Sequence, residues 1–433
     1  MKPLFVISCP IDTYSGYGAR SRDLVKAIIQ LDKYDVKIMP QRWGNTPWNF
    51  IEDHQEQWGF LKGHFLNQPQ LPKQPEIWAQ VTVPNEFQPI GKYNIGFTAG
   101  IETTICAPEW IDGVNRMNVT YVSSNHAKKV FEDSTFEQKD QQTNQIVRVV
   151  KLEKPVEVLF EGADIDIYKP IEAKEVVDID LSDVKEDFAY LFVGHWLQGD
   201  VGEDRKNVGF LIKAFYETFK NKMKKPALIL KTAMGGTSYM DREEILKKIA
   251  AIRQTVNSIN IPNVYLLHGE FSDQEINQLY NHSKVKAMVN LTKGEGFGRP
   301  LLEFSLVKKP ILTSNWSGHT DYLDTAYVPL IGGEVKPVHA SAVVPNMILA
   351  ESSWFSPDAG YVGHYLKDVF ENYKKYSENA KRQAYKSKNE FSFDKMKEKL
   401  DELLTKYVPE FPKEVKLQLP TLKKIELPKL KKL

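Results

Sequence analysis

The sequence predicts an α/β protein built from two doubly wound domains that face a central cleft. Three observations predict it. Short apolar runs alternate with stretches of helical periodicity along most of the chain. The alternation pauses at a charged, proline-containing stretch around residues 164–186, then starts again, which divides the chain in two. A glycine-rich loop lies between a strand pattern and a helix pattern in each half, the arrangement of a parallel sheet with a ligand-facing carboxyl edge.

The first unit opens with the buried-strand run Leu4–Ser8, the loop Tyr14-Ser15-Gly16-Tyr17-Gly18, and a helix whose apolar positions include Leu24, Ile28 and Leu31. Further strands are expected at Val36–Met39, Ile77–Val83, Tyr93–Phe97, Val119–Ser123 and Val156–Phe160. Between the second and third of these six strands, Gln41–Glu76 carries Trp43, Trp48, Phe50, Trp58, Phe60 and Phe65. It is too aromatic for a linker and reads as a packed insertion or a binding surface. After the charged stretch, strands are expected at Tyr190–Val193, Leu228–Leu230, Val264–Leu267 and Ala287–Asn290. Helices are expected at Val208–Phe219, Asp241–Val256 and Ser272–Tyr280, the last with Ser272 and Glu275 as a capping box. Gly360–Leu404 is helical in pattern. The final residues repeat Leu419-Pro420-Thr421-Leu422-Lys423-Lys424 as Leu427-Pro428-Lys429-Leu430-Lys431-Lys432, and from Lys413 onward seven Lys face two Glu. Proline there breaks any long helix, leaving a solvated tail or a tail that docks on an acidic surface such as a membrane.

Composition narrows the function. The chain has 433 residues, 42% of them hydrophobic, with 25 Gly and 24 Pro, which excludes a collagen, a mostly disordered chain and a mucin-like stalk. Fifty-seven basic side chains balance fifty-six acidic ones, for a net charge of +1. That excludes a strongly basic nucleic-acid packager. Two cysteines, Cys9 and Cys106, can build neither a disulfide framework nor a four-cysteine zinc site. The N-terminal run lacks a signal-peptide core, and no stretch of about 18 apolar residues occurs, so a cytoplasmic location is expected.

The most informative segment is Gly294-Glu295-Gly296-Phe297-Gly298-Arg299-Pro300-Leu301-Leu302-Glu303. It follows a strand, and Pro300 suits the first turn of a helix. A glycine loop opening a helix presents bare amides and a positive dipole end, which stabilise a phosphate or an anionic leaving group. Glu295 stands at the loop tip and Glu303 one turn into the helix, and carboxylates accept paired sugar hydroxyls well.

These residues carry a resemblance. Glu295 and Glu303 match the E-x7-E signature of retaining glycosyltransferases of the GT-B fold, family GT4. Pro310–Asp321, with Trp316-Ser317-Gly318, resembles the W-S-G-x-x-D pattern of one branch, and Trp354–Asp358 its W-x-x-P-D element. Arg205-Lys206-Asn207 with Ala214-Phe215 resembles the family's R-K-N…A-F segment. Glu102, Pro108-Glu109-Trp110 and Val122–Ser124 resemble a first-half run of the same branch, and Gly162-Ala163-Asp164 its domain junction. The likeness spans about residues 1–400 and is strongest over 187–360.

The resemblance implies two Rossmann-like domains: residues 1–165 for the acceptor, joined by a return helix at about 390–408, and residues 166–389 for the nucleotide-sugar donor, with 409–433 as the Lys-rich tail. It implies sugar transfer with retention, no metal and no other cofactor. Glu295, Arg205, Lys206 and Glu102 are the expected catalytic residues. Gly16, Gly18, Glu303, Gly296, Phe297, Gly298, His195 and Gly318 are the expected donor contacts. The expected partners are a nucleotide-sugar (UDP- or GDP-hexose type) and a glycan, lipid or small-molecule acceptor, for which the aromatic insertion is a candidate surface. The tail offers peripheral membrane contact. The chain departs from the family at His195, where many members carry Arg, and in lacking a matching first-domain His. The Asp164/Asp166 pair has the spacing of a D-x-D metal motif of the other glycosyltransferase fold, but the GT-B match makes these linker residues. Two other readings stay open: a same-fold nucleotide-sugar epimerase, and a non-catalytic nucleotide-sugar binder. Within the enzyme reading, a hydroxylated base in DNA is a further candidate acceptor, less favoured at net +1.

Overall fold

The structure, a computed structural model, describes residues 2–66, 71 and 73–412. Most of the Lys-rich tail, from residue 413 on, lies outside the described residues.

The first domain holds strands β1 (Leu4–Cys9), β2 (Asp35–Pro40), β3 (Ile77–Val81), β4 (Tyr93–Thr98) and β5 (Val119–Val122). A hairpin of β6 (Phe136–Lys139) and β7 (Ile146–Val150) follows, outside the sheet, and then β8 (Val156–Val158). The six sheet strands are parallel, in the order β2-β1-β3-β4-β5-β8. The second domain repeats the plan with β9 (Ala189–Val193), β10 (Ala227–Lys231), β11 (Val264–Leu267), β12 (Val285–Asn290), β13 (Ile311–Ser314) and β14 (Leu330–Ile331), ordered β11-β10-β9-β12-β13-β14. Each sheet reverses its winding once, between β1 and β3 and between β9 and β12. Such switch points open a crevice at the carboxyl ends of the strands. The loops after β1, β9 and β12 therefore face one another across the domain boundary.

Strands β1 and β3 are buried along their whole length, which is why Leu4–Cys9 reads as a near-continuous apolar run. The helix Phe393–Tyr407 returns to the first domain, where Phe393, Met396, Leu400, Leu403 and Leu404 join the core of β1 to β5. Tyr121 Oη donates to Leu403 O at 3.3 Å. Cys9 and Cys106 are both free and buried.

Gln41–Glu76 is a packed insertion: Ile51, Trp58 and Leu61 enter the first core. Its Trp43 and Phe50 also line the cleft. Residues 67–70 and 72 of this stretch lie outside the described residues. One feature has no clear sequence signal. Strands β15 (Gly333–Pro337) and β16 (Ser353–Pro357) pair antiparallel, and the chain between them reaches the first domain. Thr104 N donates to Ser353 O at 2.8 Å, and Ile348 and Leu349 pack on the first-domain cluster around Trp110.

Candidate active site

The cleft between the domains has a volume of ≈ 780 Å³. Gly16, Glu102, His195, Arg205, Lys206, Glu295, Gly296, Phe297, Gly298 and Glu303 all line it, a convergence of residues separated by up to about two-thirds of the chain. Gly18 and Gly318 stand behind the lining.

Glu295 is the centre. Both its oxygens lie 2.6 Å from Lys206 Nζ, and Arg205 Nη1 is 3.6 Å from its Oε2. Asn290 Nδ2, at the end of β12, donates to Oε1 at 3.2 Å. Burial pushes the Glu295 carboxyl up, but Lys206 and then Arg205 outweigh it and hold it at about 2. Arg205 Nη1 also pairs with Glu102 Oε1 at 2.6 Å, across the domain boundary. A buried cation, a half-buried one and two carboxylates thus alternate along one wall.

The glycine loop is braced from behind. Ser317 Oγ accepts from Glu295 N at 2.7 Å, and Gly318 N donates to Glu295 O at 2.9 Å. Ser317 adopts φ 73°, a costly conformation for a residue with a Cβ. At Gly318 a Cβ would lie 2.1 Å from Gly296 O, so only glycine lets the two loops touch. The amides of Gly296, Phe297 and Gly298 make no hydrogen bond to another described residue, and all three residues line the cleft. The helix Arg299–Ser305 begins there with Pro300 in its first turn.

The first-domain glycines divide. A Cβ on Gly18 would lie 2.3 Å from Thr13 O, so Gly18 serves close packing of loop and helix. Gly16 has open space around it, at the cleft. Next to it, Tyr17 stacks on Trp43 with ring centroids 4.0 Å apart, and Tyr17 Oη accepts from Ala99 N at 3.0 Å. These rings form the aromatic side of the cleft.

Glu303 is buried on the helix, 7% exposed. Burial drives its carboxyl up to about 7; Arg299 opposes the rise, while Asp273, Asp23 and Glu161 add to it. His195 lines the cleft, and desolvation, then Lys206 and Lys231, lower its pKa and favour the neutral ring.

Sequence reasoning missed three residues. Lys231, at the end of β10, lines the cleft and donates to Gly269 O at 2.8 Å. Nothing in its surroundings marked it. Arg299 and Ser317 lay inside quoted motifs but carried no assigned role. Among the described residues no first-domain histidine lines the cleft. His126 packs instead edge-on to Trp316, at 5.1 Å. No group of three or more His, Cys, Asp or Glu among the described residues is arranged to hold a metal, and no helix among them is long and apolar enough to cross a membrane.

No protein-family model matches the chain, and no curated protein matches its sequence. Solved structures do match its fold. Anabaena HepE, in complex with UDP and glucose, superposes with a TM-score of 0.60 at 14% identity, over 93% of this chain and 100% of that one. A glycosyltransferase from Rickettsia africae gives 0.62 at 12% identity, over 94% and 99%. Sucrose-phosphate synthase from Thermosynechococcus elongatus gives 0.58 at 10% identity, over 94% and 99%. The fold of this chain is the GT-B fold shared by such two-domain glycosyltransferases.

Proposed function

We propose that the chain is a retaining, metal-independent glycosyltransferase. It moves a hexose from a UDP- or GDP-sugar to a hydroxyl on a glycan, lipid or other small acceptor. The observation that carries this reading is the convergence at the switch point of the second domain. Glu295, Lys206 and Arg205 meet a glycine loop with free amides, and Glu303 stands on the helix that the loop opens.

In this reading Glu303 accepts the ribose hydroxyls, and Glu295 with the Phe297-Gly298 backbone holds the donor sugar. The acceptor oxygen bonds to the anomeric carbon as the bond from that carbon to the diphosphate oxygen breaks. The acceptor proton passes to the departing phosphate oxygen. The charge that develops on the diphosphate falls on Lys206, Arg205 and the loop amides, with Lys231 beside them. Fixed cations and amides in a dry cleft stabilise such charge strongly. Lys206 and Arg205 rest on Glu295 and Glu102 until an anion competes for them. Closure over the aromatic side excludes water, which otherwise competes as acceptor.

The test is a thermal-shift screen with UDP, GDP, ADP and their hexose conjugates, with and without EDTA. The expected result is a shift for one nucleotide family that EDTA leaves unchanged. Product analysis follows, with and without acceptors that include hydroxymethylated duplex DNA. Isomerised donor in the absence of acceptor identifies an epimerase, and binding without turnover identifies a sensor.

A further inference from the structure

A second buried charge cluster lies beside Glu303. Arg299 Nη1 is 2.5 Å from Asp23 Oδ2 and 3.6 Å from Glu161 Oε2, while its Nε is 3.4 Å from Glu303 Oε1. Asp23 sits on the helix Gly16–Gln30, and Glu161 follows β8. Both belong to the first domain, and Arg299 and Glu303 to the second. One guanidinium is thus shared by three carboxylates, exposed by 9% or less, from two domains.

Two first-domain guanidiniums also face the cluster, Arg20 toward Glu161 and Asp23 and Arg22 toward Asp23 and Asp273, but the hydrogen bonds of both go to backbone carbonyls. Arg20 donates to Leu159 O at 2.6 Å and Phe160 O at 2.9 Å. Arg22 donates to Ile11 O at 2.8 Å and Thr13 O at 3.0 Å. Lys26 pairs with Asp164 at 3.3 Å. From the helix Asp273–Asn281, Asp273 adds a further negative charge toward Glu303 and accepts from Tyr168 Oη at 3.0 Å. Tyr280, on the same helix, faces Glu303, and Glu161 Oε2 is buried without a hydrogen-bond partner.

A guanidinium can fork onto one carboxylate, but shared among three it serves each less well. Its shortest contact here goes to Asp23, from the opposite domain. We propose that Arg299 is a positioning residue that ties the ionisation of Glu303 to closure of the cleft, with Asp23 as its competitor. The proposal rests on the reading of Glu303 as the carboxylate that receives the donor's ribose. With the domains apart, Glu303 keeps Arg299, four residues away on one helix, together with Asp273, Tyr168 and Tyr280 of its own domain. Closure brings Asp23 and Glu161 to the guanidinium; Arg20 and Arg22 arrive on the helix of Asp23, but it is the two carboxylates that act on Glu303, so it takes up a proton more readily. Ribose hydroxyls need the ionised form, so nucleotide binding expels that proton.

The experiment measures UDP and GDP dissociation constants by calorimetry from pH 5.5 to 8.5, on the full chain and on Asp23→Asn. Wild-type affinity is expected to fall as the pH drops through the region near 7. Asp23→Asn removes one like charge and returns Arg299 to Glu303, which moves the fall to lower pH. A one-unit move makes the variant bind about fivefold tighter than wild type at pH 6, with equal affinity at pH 8. A clasp that only holds the domains together predicts the same weakening at every pH, and parallel profiles overturn the proposal. If Asp23→Asn does not fold, Glu161→Gln removes the other first-domain charge and is expected to move the profile in the same direction. Failure of the wild type to bind either nucleotide at any pH overturns the donor-site reading itself, and the proposal with it.

Discussion

At the residue scale, Lys206 holds a buried carboxylate, so removing it does two things. Lys206→Ala leaves Glu295 buried without its nearest cation, which costs about 3–5 kcal/mol in urea denaturation. It is also expected to raise the barrier to transfer by roughly 2–4 kcal/mol in initial-rate assays. Glu303 works the other way. Its ordinary pKa is 4.5 and its folded value about 7. Between those values the folded chain holds a proton that the unfolded chain releases, so stability falls as the pH rises from 4.5 toward 7. Glu303→Gln is expected to be more stable than wild type at pH 8, on the order of 1–3 kcal/mol, and little changed at pH 4. The same variant should bind UDP or GDP more weakly, so melting curves and titrations move in opposite directions. Glu295 and Glu303 stood out in the sequence because they flank a local glycine loop, whereas Arg205 and Lys206 stood out only through the resemblance of their own segment, Lys206 lying 89 residues from Glu295. The Arg299–Asp23 pair did not, because its partners are 276 residues apart and belong to different domains.

Elements follow the same division. Val208–Phe219 and Val264–Leu267 have the bounds their apolar periodicity predicts, and Ser272 with Glu275 forms the predicted capping box. Each is determined by neighbours in the chain. The β6–β7 hairpin is mostly exposed, so it carries no apolar alternation, and it escaped notice. The reach between β15 and β16 was also missed, since its purpose is contact with the other domain. The two first-domain glycines, alike in sequence, part in space. Gly18→Ala is expected to cost about 1–3 kcal/mol, because a methyl cannot fit against Thr13 O. Gly16→Ala meets nothing and should leave the melting temperature nearly unchanged, while altering nucleotide affinity if the cleft is the donor site. Paired melting curves and titrations check both.

The whole molecule is a pair of sheets joined by a passage near residue 160 and by a helix that comes back. Composition and alternation revealed the pair. The relative placement of the domains was beyond any local pattern, because it depends on contacts such as Glu102 with Arg205 and Thr104 with Ser353. The returning helix is the part most exposed to a stability test. Leu400 is fully buried in the first core, and Leu400→Ala is expected to cost about 2–5 kcal/mol, read by calorimetry. That helix also sets a timetable. The ribosome releases the second domain's sheet and helices before it releases Phe393–Tyr407, so the second domain can fold while the first still lacks one wall of its core. The first domain to be synthesised is the last to be finished. Until then its half-built core stays open, the interval in which a chaperone or a protease has most to hold.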